Sequence, residues 1–221
     1  MPDERTSGVI LRTRPLTETS LIVNWLTPDL GRISTLAKGA RRPKSSFRGK
    51  LDLFFGAEFS FHRSRRSELH TLREVSLSTT RPALRTDLER LQQAAYFVNL
   101  LEQTTERETP LPEYHRLFEE ALGFLEAHAP RAQTVFAFEF RLLEILGLEP
   151  DIEGSSMSEG AKAIVRRFHE PGWENLSQLL LNSVQKAELH RFLQAHLLLH
   201  LDRIPSAREP ALRSLGVSSP G

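Results

Sequence analysis

The fold of the first part of the chain is decided by residues 21–37, LIVNWLTPDLGRISTLA. At the start of this stretch leucine, valine and tryptophan recur at every second position, the spacing that places side chains on one face of a β-strand. Residues 28–31, PDLG, are of the types that close tight turns between antiparallel strands. The stretch therefore predicts a hairpin whose strands span 21–27 and 32–37.

Three further strands and a long loop complete this part of the prediction. Alternating apolar residues indicate strands over 9–14, 58–62 and 69–76, and Ser64-Arg65-Arg66-Ser67 is a turn between the last two. Residues 38–50 are rich in Gly, Ser, Pro and cations, and we interpret them as a loop. Five short strands within about 75 residues favour a small closed barrel of the OB type.

From residue 81 the apolar period changes from two to about 3.6, the period of an α-helix. Residues 135–146 are apolar on nearly every side, as expected for the central helix of a bundle. Gly147 is expected to end that helix, and Ser158 and Ser183 are candidate N-caps of later helices. The predicted helical segments are 84–105, 113–128, 135–146, 159–169, 173–182 and 184–203.

These patterns predict an α+β protein with an N-terminal five-stranded OB-type β-barrel over 1–80 and an all-α helical domain over 81–204. The tail 205–221 is expected to be poorly ordered. The longest apolar runs fall far short of the roughly 20 residues that span a bilayer, and no export signal is visible. A cytoplasmic protein is therefore expected.

The net charge of +1 conceals a strong asymmetry along the chain. Residues 1–80 contain 14 Lys and Arg against eight Asp and Glu, a charge of +6, whereas 81–221 contain 15 and 20, a charge of −5. The stretch 32–50 alone holds seven cations and no acid. Because this run lies between strands and has no interleaved carboxylate, we interpret it as a polyanion-binding segment rather than an ordinary solvated surface.

OB barrels bind single strands of nucleic acid through a cationic groove and aromatic faces on which bases stack. Guanidinium groups bind phosphate in a forked geometry, so the cations of the first domain are candidate phosphate contacts. Phe47, within the polar loop, is a candidate stacking residue; the alternative is that its ring anchors the loop to the barrel. The candidate nucleic-acid-binding residues are Arg12, Arg14, Arg32, Lys38, Arg41, Arg42, Lys44, Phe47, Arg48 and Lys50.

The chain carries no signature of catalysis. It lacks glycine-rich nucleotide motifs, a hydrolase nucleophile elbow and a zinc-protease motif, and it has no cysteine. His196 and His200 could share a metal, but a third ligand is missing, and histidines at the edge of a buried helix face are the favoured interpretation. Asp151, Glu153 and Glu159 cluster only loosely, with no sign of an acid–base pocket. We therefore expect a binding protein without metal or other cofactor, not an enzyme.

Several stretches of the chain together resemble one bacterial family, the recombination-mediator protein RecO. The similarity covers 1–151 well and becomes faint beyond, and AKGARR at 37–42 is its most specific piece. The stretches are GVILRTR at 8–14, ETSLIV at 18–23, LTP at 26–28, LAKGARRPKS at 36–45, LHTLREV at 69–75, FEFRLL at 138–143 and LGLEPD at 146–151.

The resemblance implies an OB-fold and a helical domain that bind single- and double-stranded DNA and anneal complementary strands. It also implies that the protein works with RecR to load the recombinase RecA onto DNA coated by the single-strand-binding protein SSB, in the cytoplasm at the nucleoid. In one respect the chain departs from the family. Many members carry a four-cysteine zinc module after the position of Pro150-Asp151, whereas 151–160 here is a short polar loop without cysteine.

Two other functions stay open at this stage. One is a protein-interaction adaptor whose basic loop docks an acidic partner. For the SSB tail, which is acidic with an apolar tip, the dock would be an apolar groove rimmed by cations, and Arg116, Arg131 and Arg141 are the candidates. Each could instead be an ordinary surface arginine, or for Arg141 the partner of a nearby glutamate. The other function is an RNA-binding OB module, because base stacking does not distinguish the two sugars.

Overall fold

The computed structural model describes residues 3–213 and 215–217. It contains two compact units. The first consists of the residues up to Arg81 together with Thr105–Arg116, and the second of Pro82–Thr104 and the residues from Leu117 onward. The first unit holds a closed barrel of five strands and the second is helical, so the predicted α+β class is confirmed.

Five strands form the barrel. They are β1 (Glu4–Pro15), β2 (Leu21–Thr27), β3 (Gly31–Ala37), β4 (Gly56–His62) and β5 (Leu69–Thr79). Their order around the barrel is β1-β2-β3-β5-β4, with β3 parallel to β5 and the other neighbours antiparallel. β1 is longer than expected because it pairs with two neighbours, with β4 from Glu4 to Val9 and with β2 from Val9 to Pro15. This shared strand closes the barrel and confirms the OB-type arrangement.

Trp25 lies at the centre of the barrel core and is fully buried. Its ring stacks on Phe59 with 4.0 Å between centroids, and its indole N–H donates to Thr35 Oγ1 at 2.8 Å. A buried indole N–H without an acceptor would destabilise the folded state. The hydrogen bond to Thr35 avoids this cost, so the tryptophan can be fully buried. Val23 is buried in the same core, which confirms the strand face predicted from 21–25.

The segment 105–116 belongs to the barrel unit, although the helical period placed everything after residue 80 in one domain. Arg32 holds the segment, since its guanidinium donates to Thr105 Oγ1 at 2.6 Å and also to the Thr105 carbonyl. Gly31, at φ +67°, has no side chain to collide with the backbone of Thr109. These contacts join residues distant in sequence, which local periodicity cannot reveal.

The second unit is built around a helix that is buried along most of its length. Its helices are α1 (Ala83–Thr86), α2 (Leu88–Thr104), α3 (Pro112–Ala127, whose first turn lies in the barrel unit), α4 (Ala132–Ile145), α5 (Glu159–Phe168), a 3-10 helix (Glu174–Gln178), α6 (Ser183–Leu201) and α7 (Arg208–Arg213). α4 is buried from Ala132 to Phe140, as its all-round apolar sequence predicted. Within the described residues, no helix is long and apolar enough to cross a bilayer.

Helix ends follow the sequence signals in two of three cases. Ser158 caps α5 by accepting from the Ala161 N–H, and Gly147, at φ +70°, follows the end of α4. The cap of α6 is Asn182 rather than Ser183, because the Asn182 side chain accepts from the Gln185 N–H in a reciprocal capping box.

The expectation of a poorly ordered tail is wrong for most of the described part of 205–221. Residues 208–213 form α7, and Arg208, Ala211 and Leu212 are buried. The cause is a buried ion pair: Arg208 Nε donates to Glu139 Oε1 at 2.6 Å, and that carboxylate also accepts from the Tyr96 hydroxyl. Residues 214 and 218–221 lie outside the described part of the chain.

Candidate nucleic-acid interface

The basic loop, residues 38–50 between β3 and β4, is an ordered series of turns. The backbone N–H groups of Arg42, Ser45, Arg48 and Lys50 each donate to the carbonyl three residues earlier, at 3.0–3.2 Å. Hydrogen bonds at this spacing define β-turns. The loop therefore presents its side chains from a fixed backbone.

Three contacts tie the basic loop to the barrel. The ring of Phe47 is 8% exposed and packs in the barrel core. Lys50 Nζ donates to the Val75 carbonyl of β5 at 3.0 Å. Arg41 binds the 16–20 loop between β1 and β2, through its backbone N–H to one carbonyl and its guanidinium to another, at 3.0 and 3.2 Å.

Five cations of the basic loop point into solvent. They are Lys38, Arg41, Arg42, Lys44 and Arg48. In the described part of the chain none of the five forms an ion pair with a carboxylate, and the side chains of Arg41 and Arg48 donate only to backbone carbonyls. Arg12 and Arg14 are exposed on one face of β1, which leads into the 16–20 loop contacted by Arg41. The structure thus places Arg14 and the five loop cations toward one end of the barrel, whereas Arg12 pairs with Asn24 at the middle of β2.

The remaining three predicted residues have structural partners. Arg32 is bound to Thr105 by two hydrogen bonds, and Lys50 is half-buried with its ammonium on the Val75 carbonyl. Phe47 corrects the stacking prediction: its ring is buried in the core, so it anchors the basic loop and is no exposed platform for a base. Because Phe47 is flanked by turn residues and cations, its sequence surroundings suggested an exposed ring. Only the fold shows that the ring points into the core.

A second group of basic side chains, in the β4–β5 hairpin, was not predicted from the sequence. His62, Arg63, Arg65 and Arg66 line a depression of about 460 Å³ there. Arg65 and Arg66 are exposed, whereas Arg63 donates to Glu4 at 2.7 Å and to Glu108 at 2.7 Å. The signal that could have found them is three arginines within four residues, a run interpreted only as a turn.

Arg116, Arg131 and Arg141 are not brought together. Arg116 is exposed on α3, and Arg141 donates to the carbonyls of Phe168, Glu170 and Gly172. Burial lowers the pKa of the Arg141 guanidinium from its ordinary value. Arg141 therefore closes the end of α5 and is not a surface cation.

Arg131 lies at the rim of an apolar depression of about 270 Å³ in the helical unit. Its other rim cation is Lys186, which donates to the Leu215 carbonyl at 2.7 Å. The apolar lining includes Leu179, Leu180, Leu181 and Leu215. Leu180 is 84% exposed, which is unusual for a large apolar side chain.

Glu144, Glu149 and His169 are the one group of metal-capable side chains that converge within the described residues, with ligand atoms within 4.8 Å of one another. His169 Nδ1 lies 3.5 Å from Glu149 and closer still to Glu144, and burial raises the pKa of the Glu144 carboxyl. The His169 ring therefore has a carboxylate neighbour in each of the two glutamates. His196 instead shares a 3.0 Å hydrogen bond with the Leu148 carbonyl.

Comparison with known proteins finds two models of one family, which together cover most of residues 1–156. The model of the Recombination protein O N terminal matches residues 1–81, and that of the Recombination protein O C terminal matches residues 85–156. The DNA repair protein RecO of Rhodopirellula baltica is 37% identical over 143 residues, which are 65% of this chain and 53% of that protein. The DNA repair protein RecO of Nostoc punctiforme is 31% identical over 175 residues, 77% and 57% of the two chains.

A third relative matches over nearly its whole length. The DNA repair protein RecO of Alkaliphilus metalliredigens is 26% identical over 235 residues, which are 90% of this chain and 94% of that protein. Against the other two relatives the chain spans little more than half of the relative's length.

Proposed function

The chain belongs to the Recombination protein O (RecO) family, and on that premise we propose that it is a DNA-binding recombination mediator in DNA repair. It binds single- and double-stranded DNA, anneals complementary strands and, with RecR, helps load RecA onto DNA coated by SSB, in the cytoplasm at the nucleoid. The observation that carries the proposal is the basic loop. Its five exposed cations have no carboxylate partner in the described part of the chain and stand on a fixed backbone.

The proposed binding step is electrostatic. Lys38, Arg41, Arg42, Lys44 and Arg48, with Arg12 and Arg14, contact phosphates and release the counterions condensed on DNA. Phosphate contacts position a strand without reading its sequence. A protein that holds strands by their phosphates leaves base edges available for pairing, and this suits annealing of any complementary pair.

The salt dependence of binding tests this step. If four to six phosphates are engaged, log K for a single strand falls with log [salt] with a slope of roughly −3 to −4. The variant Arg41→Gln/Arg42→Gln removes two contacts, so its slope should be shallower by about 1.4. Fluorescence anisotropy with a labelled oligothymidylate measures both slopes. The matched control is Arg166→Gln/Arg167→Gln on α5, which should keep the wild-type slope; an unchanged slope in the loop variant would reject the basic loop.

Preference for DNA over RNA follows from the family and not from the charge pattern, because both polymers carry the same phosphates. Competition between DNA and RNA oligomers of one sequence, at one salt concentration, determines which of the two polymers the protein binds more tightly. Tighter RNA binding would favour the alternative of an RNA-binding module.

The apolar depression of the helical unit supports a second part of the proposal, binding of the acidic SSB tail. The tail's apolar tip would enter among Leu179, Leu180 and Leu215, and its carboxylates would meet Arg131 and Lys186 at the rim. Of the three arginines considered from the sequence, Arg131 lines this depression, whereas Arg141 donates to three carbonyls and Arg116 lies on α3, so Arg131 is the one proposed.

A labelled acidic peptide with an apolar C-terminus tests this site. Leu180→Asp and Lys186→Glu should weaken peptide binding strongly, since one removes the apolar contact and the other reverses a rim charge. Arg116→Ala is the matched control because Arg116 is exposed elsewhere, on α3. Equal affinity in all three variants would show that the peptide does not bind in this depression. That result would leave the proposal of DNA binding by the basic loop unaffected.

A further inference from the structure

The depression in the β4–β5 hairpin has the chemistry of a phosphate site. His62, Arg63, Arg65 and Arg66 are four of its seven lining residues, and Ser64 and Thr71 add hydroxyl groups. The Ser64 hydroxyl accepts from the backbone N–H groups of Arg66 and Ser67, at 3.3 and 3.2 Å, so the turn that carries the two exposed arginines is fixed. Guanidinium and hydroxyl groups are the usual donors to phosphate oxygens. An acidic peptide would find little apolar surface here, since Leu69 is the single large apolar residue of the lining.

A larger groove, of about 600 Å³, lies on β1, β4 and β5. Phe47, Phe59 and Val75 line it but are nearly buried, and its exposed lining carries the cations Arg5 and Arg73 beside the carboxylates of Glu58 and Glu74. Glu74 accepts from Arg5, at 3.3 Å. Lys50, also in the lining, donates to the Val75 carbonyl. The groove is therefore polar, with cations that can contact the phosphates of a strand lying over it.

The basic loop, the groove and the hairpin follow one another along the same two strands. Ser46, Phe47 and Lys50 of the loop line one end of the groove. On β4 the groove includes Glu58 and Ser60, and His62, two residues further along the same face, already lines the hairpin depression.

Strand directions separate the two cationic groups. The basic loop follows the end of β3, and the hairpin precedes the start of β5, which pairs in parallel with β3 from Ser34 to Leu36. The two groups therefore lie toward opposite ends of the barrel. Lys50 of the loop bonds to Val75, which pairs with Phe59, and from Phe59 to His62 the strand advances three residues, roughly 10 Å at about 3.3 Å each.

From this arrangement we propose that a single strand of nucleic acid lies along β4 and β5, with its phosphates held by the basic loop at one end and by Arg65 and Arg66 at the other. Between these ends the strand lies over the groove. The inference rests on the proposed function and adds a path to it. OB folds usually bind on the face of strands 2 and 3. In this chain Asn24 and Ser34 of that face are bonded to each other at 3.0 Å, and Arg12 of β1 pairs with Asn24 beside them, so the cross-linking comparison below decides between the two faces.

Site-directed cross-linking tests the path directly, because the chain has no cysteine to compete with an introduced one. Ser76→Cys on β5 lines the groove, and Ser34→Cys on β3 is the matched serine of the other face. Each variant, carrying a thiol-attached benzophenone, is irradiated with an oligothymidylate of about 16 nucleotides, the upper end of OB-fold site sizes. The adduct should form mainly at position 76. An adduct that forms mainly at position 34, or equally at both, overturns the path.

The hairpin end has its own test. Arg65→Gln/Arg66→Gln should make the salt slope for the same oligomer shallower by about 1.4, whereas Arg65→Lys/Arg66→Lys should keep it. An unchanged slope in the glutamine variant refutes the hairpin contact even when the wild-type protein binds DNA tightly. If the wild-type protein does not bind the oligomer at all, the proposed function fails together with this path, so the two failures are distinguishable.

Discussion

The barrel unit and the helical unit use arginine in opposite ways. In the basic loop of the barrel, arginines stand in solvent and their side chains touch at most a backbone carbonyl, as Arg41 and Arg48 do. In the helical unit Arg208 is 4% exposed and bound to both oxygens of the Glu139 carboxylate. Similarly, the Arg141 guanidinium donates hydrogen bonds to three backbone carbonyls. Arg208 and Arg141 thus hold the fold together, whereas the exposed arginines of the basic loop are available to a ligand.

This difference changes what net charge conveys. The barrel's excess of +6 includes cations that nothing in the described chain neutralises, whereas much of the helical unit's positive charge is consumed by its own structure. The number of cations in a stretch of sequence indicates a binding function only after the cations that form ion pairs within the fold have been subtracted. Substitution of the buried Arg208 and Arg141 should therefore destabilise the helical unit, whereas substitution of the exposed arginines of the basic loop should leave stability unchanged.

The largest effect is expected at the buried pair of the helical unit. Arg208→Met leaves the Glu139 carboxylate buried without its cation, and removal of one partner of such a pair costs about 3–5 kcal/mol. Urea denaturation followed by helical circular dichroism measures the loss. The double variant Glu139→Leu/Arg208→Met should recover much of it, because no unpaired charge then stays buried. A single variant as stable as wild type would contradict the structural role of Arg208.

Arg141 should follow with a smaller loss. Arg141→Ala removes three charge-assisted hydrogen bonds to carbonyls and a contact with the Trp173 ring, 4.7 Å from its centroid. Hydrogen bonds to charged groups contribute about 1.5–3 kcal/mol each, and partial solvation of the freed carbonyls keeps the total near 2–3 kcal/mol. Arg167→Ala is the control, because its exposed pair with Glu170 should contribute only about 0–1 kcal/mol. Equal losses in the two variants would break the distinction.

Acid should weaken the barrel unit through His70. Burial lowers the pKa of this imidazole, which faces Glu108, Arg63 and Glu4. The unfolded chain therefore binds a proton that the folded chain resists, so the free energy of unfolding falls as the pH drops below about 6.5, the ordinary histidine value. Thermal melts between neutral pH and pH 5 should show a steeper decline for wild type than for His70→Asn. If the melting temperatures of wild type and His70→Asn fell equally with pH, His70 would not be the cause of the acid sensitivity.

The smallest effect on stability is expected in the basic loop. Arg41→Gln/Arg42→Gln touches exposed side chains, so the free energy of unfolding should stay within about 0.5 kcal/mol of wild type. The same denaturation experiment measures it. A larger loss would mean that these arginines support the fold and that their exposure was misinterpreted.

The sequence alone predicted the barrel well because its signals are local. Alternation over 21–25 and the turn at 28–31 set the first hairpin, and both are confirmed. The all-round apolar tract of α4 predicted a central helix for the same reason. What could not be predicted depends on contacts across long separations: Arg32 with Thr105, and Arg208 with Glu139, are 73 and 69 residues apart.

The candidate site was predicted in part. A run of cations without acids identified the basic loop, but the sequence does not show which members are engaged by the fold, and Arg32, Phe47 and Lys50 are. The hairpin arginines were overlooked because a turn between strands explained them fully. The tail was misjudged because the alternation of Pro, Ser and Gly concealed a short helix held by one buried arginine.

One binding measurement tests the central claim that the exposed cations of the basic loop, and not the ion-paired arginines of α5, bind DNA. Affinity for a single-stranded oligomer is compared between Arg41→Glu/Arg42→Glu in the basic loop and Arg166→Glu/Arg167→Glu on α5, two variants of identical net charge. The account predicts that binding is abolished in the first and retained in the second. Equal loss in both variants, or loss confined to the second, would contradict it.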